Sequence, residues 1–383
     1  NRIVNKVTIG TPTAIGKNPL GSLLKANDGK FYGMTVFGGS NSTGVLFQYD
    51  PATNTYVKKI DFTVSTGHSP SGSLIQATDG MLYGMTKSGG SNGGGTLFKY
   101  DITTDIFTKL LDFSTSTGTS PRGTLLQASD GMLYGLTNSG GANSKGVLFQ
   151  YNTLTNLFTK KIDFDGTTKG SNPEGKLIEA SDGNLYGMTY SGGTNNKGTL
   201  FQYNFNTNIL TKKLDFAGTS NGANPLGSLM QANNNKIYGM ATSGGTFGNG
   251  VLFQYDYLNN IYTKKLDFDA VNTGADTRGT LMQAMDGKLY GLTKSGGTAS
   301  GGVLFQYDII TNTYLKKIDL MSRPNGDTPA GSLIQATDQT IYGVNDRGVF
   351  QYDPLNKIFT KKAAFSTNTG GPPVGSLIQA NDG

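Results

Sequence analysis

The chain has 383 residues, 56 of them glycine, with a net charge of +6, no cysteine and one histidine, His68. Glycine at about twice its usual share of roughly 7 %, with Thr, Ser, Asn, Tyr and Phe between the glycines, excludes a helical bundle; aromatic and β-branched residues at fixed intervals exclude disorder. There is no disulfide framework, no thiol chemistry and no zinc or catalytic set built from several histidines, and no apolar run approaches the roughly 18 residues of a membrane span.

Residues 1–20 hold one short β-patterned run, Val4–Ile9. A repeat then begins. The pair Tyr-Gly recurs at Tyr32, Tyr83, Tyr134, Tyr186, Tyr238, Tyr290 and Tyr342, in steps of 51 or 52 residues. Eleven residues before each tyrosine stands Gly-Ser/Thr/Lys-Leu, starting at Gly21, Gly72, Gly123, Gly175, Gly227, Gly279 and Gly331, with an eighth copy at Gly375. A period near 50 means a solenoid, a propeller or an array of beads.

Each repeat contains four β-patterned runs. In the second they are a (Ser73–Ala77), b (Met81–Thr86), c (Thr96–Tyr100) and d (Ile106–Phe113). Between a and b lies Asp79-Gly80, which predicts a two-residue type I′ hairpin; the fifth copy reads Asn234-Asn235, and asparagine also tolerates left-handed backbone. Tight polar turns join c to d, and no helical period appears. Four antiparallel strands per unit of about 50 residues predict an all-β protein: a single β-propeller of four-stranded blades over residues 1–383. A separate bead of about 50 residues would have too little core.

The chain starts and stops out of phase with a blade. Val4–Ile9 reads as a d strand, and Ser376–Ala380 as an a strand followed by the turn Asp382-Gly383. The reading favours eight blades over seven, with the N-terminal strand closing the ring and the natural chain continuing past Gly383.

In outline the repeat resembles kelch-type blades, since Tyr49-Asp50-Pro51-Ala52-Thr53-Asn54-Thr55-Tyr56 matches their last element. It departs from them in lacking tryptophan and in placing Gly89-Gly90 in a loop. It resembles more closely the GloVer-type tandem repeat of secreted bacterial proteins. Asp79–Gly90 with Gly95–Tyr100 fits that pattern throughout, and the resemblance covers essentially the whole chain. It implies export, attachment to the cell surface and type IX secretion, and no known activity.

Up-and-down strands put the d–a and b–c loops on one face and the a–b and c–d turns on the other. The first set is long, as in Ser114–Arg122 and Lys87–Gly95; the second is tight. Binding is expected on the long-loop face. In the seventh repeat the b–c loop shrinks to Asn345-Asp346-Arg347, leaving a notch. Candidate ligand-binding residues are therefore Asp346 and Arg347 beside Ser300, or Asn143, Asn195 and Asn249 acting blade by blade.

Other recurring residues read as structural. Lysine doublets on strand d, from Lys58-Lys59 to Lys361-Lys362, protect exposed edges. Phe98 and Tyr100 point to one side and pack between blades, and Gly84 permits close approach of the next sheet. The recurrent glutamine (Gln76, Gln127, Gln231, Gln283, Gln335, Gln379), replaced by Lys25 and Glu179, lines the channel or satisfies backbone groups. Asp163-Phe164-Asp165-Gly166-Thr167 lacks calcium-loop spacing, and no Gly-x-Ser-x-Gly elbow is present. No metal or cofactor is expected. The resulting expectation is a non-enzymatic, surface-displayed module that binds glycan or protein, or the export machinery, and not nucleic acid. A structural spacer and a propeller lyase or hydrolase are the alternatives.

Overall fold

The structure is a computed structural model that describes residues 16–321, 326–329, 331–364, 375 and 377–379. These form seven antiparallel sheets, each built on four strands in the order a–b–c–d. The second blade comprises Ile75–Gln76, Leu82–Thr86, Thr96–Asp101 and Ile106–Asp112. The fourth comprises Ile178–Glu179, Leu185–Ser191, Thr199–Asn204 and Ile209–Asp215, with a further short strand, Ser171–Pro173, paired to Leu185–Ser191. No described helix is long and apolar enough to cross a membrane.

The blade count corrects the expectation of eight. Beyond the seventh blade the described residues form no further sheet. They supply an inner segment only: Gly375 stands against the carbonyl of Gly21, and Gln379 accepts the Thr337 N–H at 2.9 Å. This segment links the seventh blade to the first. Val4–Ile9 and the turn Asp382-Gly383 lie outside the described residues.

Strand b is buried on both faces, strand c mostly so, and strand d is only partly covered, so d is outermost. The core lies between blades, because one twisted sheet cannot bury both of its own faces. One cluster joins Tyr83, Met85, Leu97 and Phe113 of the second blade to Leu125, Leu133, Phe149 and Tyr151 of the third. Tyr32 and Tyr100 of adjacent blades lie 6.2 Å apart, and Phe62 and Phe98 lie 5.5 Å apart. Phe98 and Tyr100 thus pack between blades as their alternation predicts.

Gly84 serves its own blade and not the next sheet. It pairs with Phe98 across strands b and c, and the Phe98 ring lies over it. The a–b turn also differs from expectation. Ala77 N–H donates to Met81 O, and Gly80 is left-handed (φ +83°) while Asp79 is not. That is a three-residue turn with one left-handed residue, not a type I′ pair. Asn235 fills the left-handed place in the fifth repeat at φ +57°. Asp79 caps the turn by accepting Met81 N–H at 3.0 Å and the Tyr83 hydroxyl at 2.7 Å. Burial and that carboxylate push the Tyr83 hydroxyl far up, so it remains a donor.

The lysine doublets follow from a bulge. Leu46 pairs with Ile60 and Phe47 with Lys58, leaving Lys59 as the extra residue of strand d. Lys58 reaches Asp61 at 2.5 Å, and Lys59 reaches Asp105 of the next blade at 3.2 Å. Asp61 also accepts the Ser40 N–H at 2.9 Å, pinning the b–c loop. Burial opposes ionisation of Asp61, but Lys58 and Ser40 hold its carboxyl below the usual range.

Candidate functional site

The first residues of the seven a segments surround a central channel. Around its axis the marker glycines from Gly21 to Gly279 each lie against the backbone of the next, so a Cβ at Gly72 would meet the Gly123 carbonyl. Just inside the glycines runs a ladder between blades: Ser22 N–H to Ser73 Oγ at 2.9 Å, Ser73 N–H to Thr124 Oγ1 at 3.0 Å, Lys176 N–H to Ser228 Oγ at 3.1 Å, and Thr280 N–H to Ser332 Oγ at 3.1 Å. At the far end the recurrent glutamines form a second ladder. Gln76 accepts Asn27 N–H of the preceding blade at 2.8 Å and donates to Gly80 O of its own at 2.8 Å. The glutamines satisfy backbone groups between blades, the structural alternative of the two expected.

A cavity of about 610 Å³ occupies the channel at the end surrounded by the d–a loops. Its lining breaks the symmetry of the repeat. The residue before each marker glycine is Leu20, Ser71, Arg122, Glu174, Leu226 or Arg278 in the first six blades, and all six line the cavity. Side chains at this position reach the cavity, and one of them, Arg122, also reaches the next blade at Glu174.

Arg122 Nη1 donates to Glu174 Oε1 at 2.9 Å, and Asn138 Nδ2 donates to the same oxygen at 2.9 Å. Burial pushes the Glu174 carboxyl above the usual carboxylate range, against the opposing pull of Arg122 and Asn138. Arg278 is held by Asp276, whose carboxylate accepts its Nε at 2.9 and 3.1 Å. Ser71 Oγ is buried and has no hydrogen-bond partner among the described residues. A partly desolvated carboxylate can take a proton from water, and the guanidinium fixed beside it can stabilise negative charge close by. Among the described residues no three His, Cys, Asp or Glu side chains converge in a metal-binding group.

None of the candidates taken from the sequence lines this cavity. Asp346 and Arg347 form the turn of a tight hairpin in which Asn345 pairs with Gly348, and they contact each other at 3.3 Å. Asp346 also accepts the Asp327 N–H at 2.7 Å. Asn143 and Asn195 donate to Phe164 O and Phe216 O at 3.1 and 3.3 Å, tying b–c loops to the ends of their own d strands. Asn249 is partly buried in its b–c loop, and Ser300 is an exposed left-handed turn residue at φ +60°. The channel residues were missed, although a signal existed: alignment of the repeats on the marker glycine shows the preceding position to be chemically variable.

The molecule is thus a seven-bladed propeller with one asymmetric polar site on its axis. The profile of the Gloeobacter/Verrucomicrobia repeat matches residues 6–181 and 162–349, and the chain belongs to that family. No curated protein matches it in sequence. Among solved structures it is similar to the periplasmic gluconolactonase of Pseudomonas aeruginosa, with TM-score 0.58 and 16 % identity over 89 % of this chain and 97 % of that one. It is also similar to a protein assigned as a 6-phosphogluconolactonase from Bacteroides uniformis, with TM-score 0.57 and 16 % identity over 88 % and 97 % of the two chains. A third, with the same assignment, from Bacteroides fragilis, has TM-score 0.56 and 16 % identity over 91 % and 97 %.

At this identity the likeness shows the fold. It nevertheless overturns the expectation of a non-enzymatic binding module, since the propellers that superpose along almost their whole length bear the names of lactone hydrolases. The geometry gives the physical reason. Residues that differ chemically between blades, Arg122, Glu174 and Arg278 among them, line one cavity, whereas the Asn143 and Asn195 amides hold their loops to the strands.

Proposed function

We propose that the chain is a propeller hydrolase that opens a sugar lactone or a similar cyclic ester at the channel mouth. The observation that carries this reading is Glu174, a carboxylate on the cavity wall whose proton affinity burial raises. Glu174 takes a proton from a water molecule as that water attacks the ester carbonyl. The ring C–O bond breaks, and the departing oxygen recovers the proton from Glu174. Lactone and water give one hydroxy acid. Arg122 orients Glu174 and places positive charge beside the developing oxyanion, and Asn138 fixes the same carboxylate oxygen. The three lactonase-type propellers support the substrate class. Export belongs to the same proposal, supported by the periplasmic location of one of those propellers.

The test is hydrolysis of δ-gluconolactone and 6-phosphogluconolactone, measured above the spontaneous rate. Glu174→Gln keeps the shape of the side chain and removes the base, so the rate should fall by about 10²- to 10⁴-fold. No acceleration by the unaltered chain, or full activity in E174Q, would sink the reading.

A further inference from the structure

We infer that the channel mouth is an anion site, in which Lys176 and Arg278 bind an acidic group, phosphate or carboxylate, of the molecule acted on. This rests on the hydrolytic reading only in calling that molecule a substrate; the anion site stands on the cavity itself.

The lining carries three basic side chains, Arg122, Lys176 and Arg278, against one carboxylate, Glu174, which Arg122 already engages. Lys176 is exposed to the cavity, and its Nζ has no acceptor among the described residues. Arg278 spends only its Nε on Asp276, so Nη1 and Nη2 remain for another acceptor. A guanidinium fixed through one nitrogen offers its remaining donors in a set geometry, which suits phosphate and carboxylate oxygens.

The fourth blade adds a more specific feature. In the other described blades a serine or threonine follows the marker glycine, and its hydroxyl can accept a backbone N–H from the blade before. Lys176 has no hydroxyl. At this place the ladder gains an ammonium group instead. An anion in the cavity can accept from Lys176 Nζ and from the free nitrogens of Arg278. A volume of about 610 Å³ suits a small sugar acid.

The test is calorimetric titration of the full chain with inorganic phosphate, gluconate, 6-phosphogluconate and neutral glucose. The acidic ligands should bind and glucose should not. Lys176→Thr installs the residue type that other blades carry, so the fold is kept. K176T and Arg278→Met should each weaken binding at least about tenfold with the melting temperature unchanged, while Glu174→Gln should retain it. Binding of 6-phosphogluconate well above gluconate assigns the site to phosphate, and equal binding assigns it to carboxylate. Absence of binding by all three acids, or unchanged affinity in the K176T/R278M double variant, would overturn the anion site. Anion binding without lactone hydrolysis would overturn the hydrolase alone; hydrolysis with unchanged affinity in the double variant would overturn the anion site alone.

Discussion

Replacing Gly84 by alanine probes the contact that recurs on strand b of every blade. A Cβ there would lie 2.5 Å from Phe98 Cζ and 2.8 Å from Leu74 Cδ2. Ordinary carbon contacts lie at about 3.5–4.0 Å, so the ring must retreat by roughly 1 Å. It has little room, because Phe98 is fully buried between Phe62 at 5.5 Å and Phe107 at 5.1 Å. Overpacking of this kind costs about 1–3 kcal/mol, and the rigid neighbours place G84A in the upper half of that range. At about 2 °C per kcal/mol for a long chain, the melting temperature should fall by about 4–6 °C. Thermal and urea unfolding followed by circular dichroism measure this. Phe98→Leu in the same background removes the obstructing ring and should recover part of the loss, so the two substitutions should not add. Gly80→Ala serves as control: nothing lies within 4 Å of its Cβ, and the cost is left-handed strain of about 1–2 kcal/mol. G84A as stable as the unaltered chain, or strict additivity with F98L, would refute the account.

Three other outcomes follow from the electrostatics. Lactone hydrolysis should rise with pH through a carboxylate lying above the usual range, because only ionised Glu174 acts as base; Arg122→Met removes a charge that favours ionisation and should move that limb to higher pH, read from kcat/KM profiles. Asp215 is held below the usual aspartate range by Lys212 and Thr194 despite the opposing effect of burial. Its stabilisation is therefore complete above the unfolded pKa and is lost as pH falls through the lower folded value; Asp215→Asn should cost about 1 kcal/mol at pH 7, with the difference shrinking in acid, as urea midpoints will tell. Chelator should leave the melting temperature unchanged, and a fall of several degrees would point to a cation in the d–a loops.

How far the site was legible depends on how its residues repeat. Strand order and the interior placing of Phe98 and Tyr100 could be read from periodicity, because alternation and turn chemistry act over a few residues. Asn143 and Asn195 looked like ligand contacts because they are polar and lie in long loops. Their amides instead hold carbonyls twenty-one residues away, an arrangement set by how each loop folds onto its strand.

The period near 50, the four strands per repeat and the tight turns were determined by the sequence alone, since each rests on interactions between near neighbours. The tertiary structure decided the number of blades, because ring closure depends on how tightly the glycines crowd around the axis. It also decided the site. Ser71, Arg122, Glu174, Lys176 and Arg278 are spread over 208 positions of the chain, and only closure of the ring brings them around one cavity. Glu174 becomes a candidate base only there, because the desolvation that raises its proton affinity is a property of that cavity and not of the residues beside it in sequence.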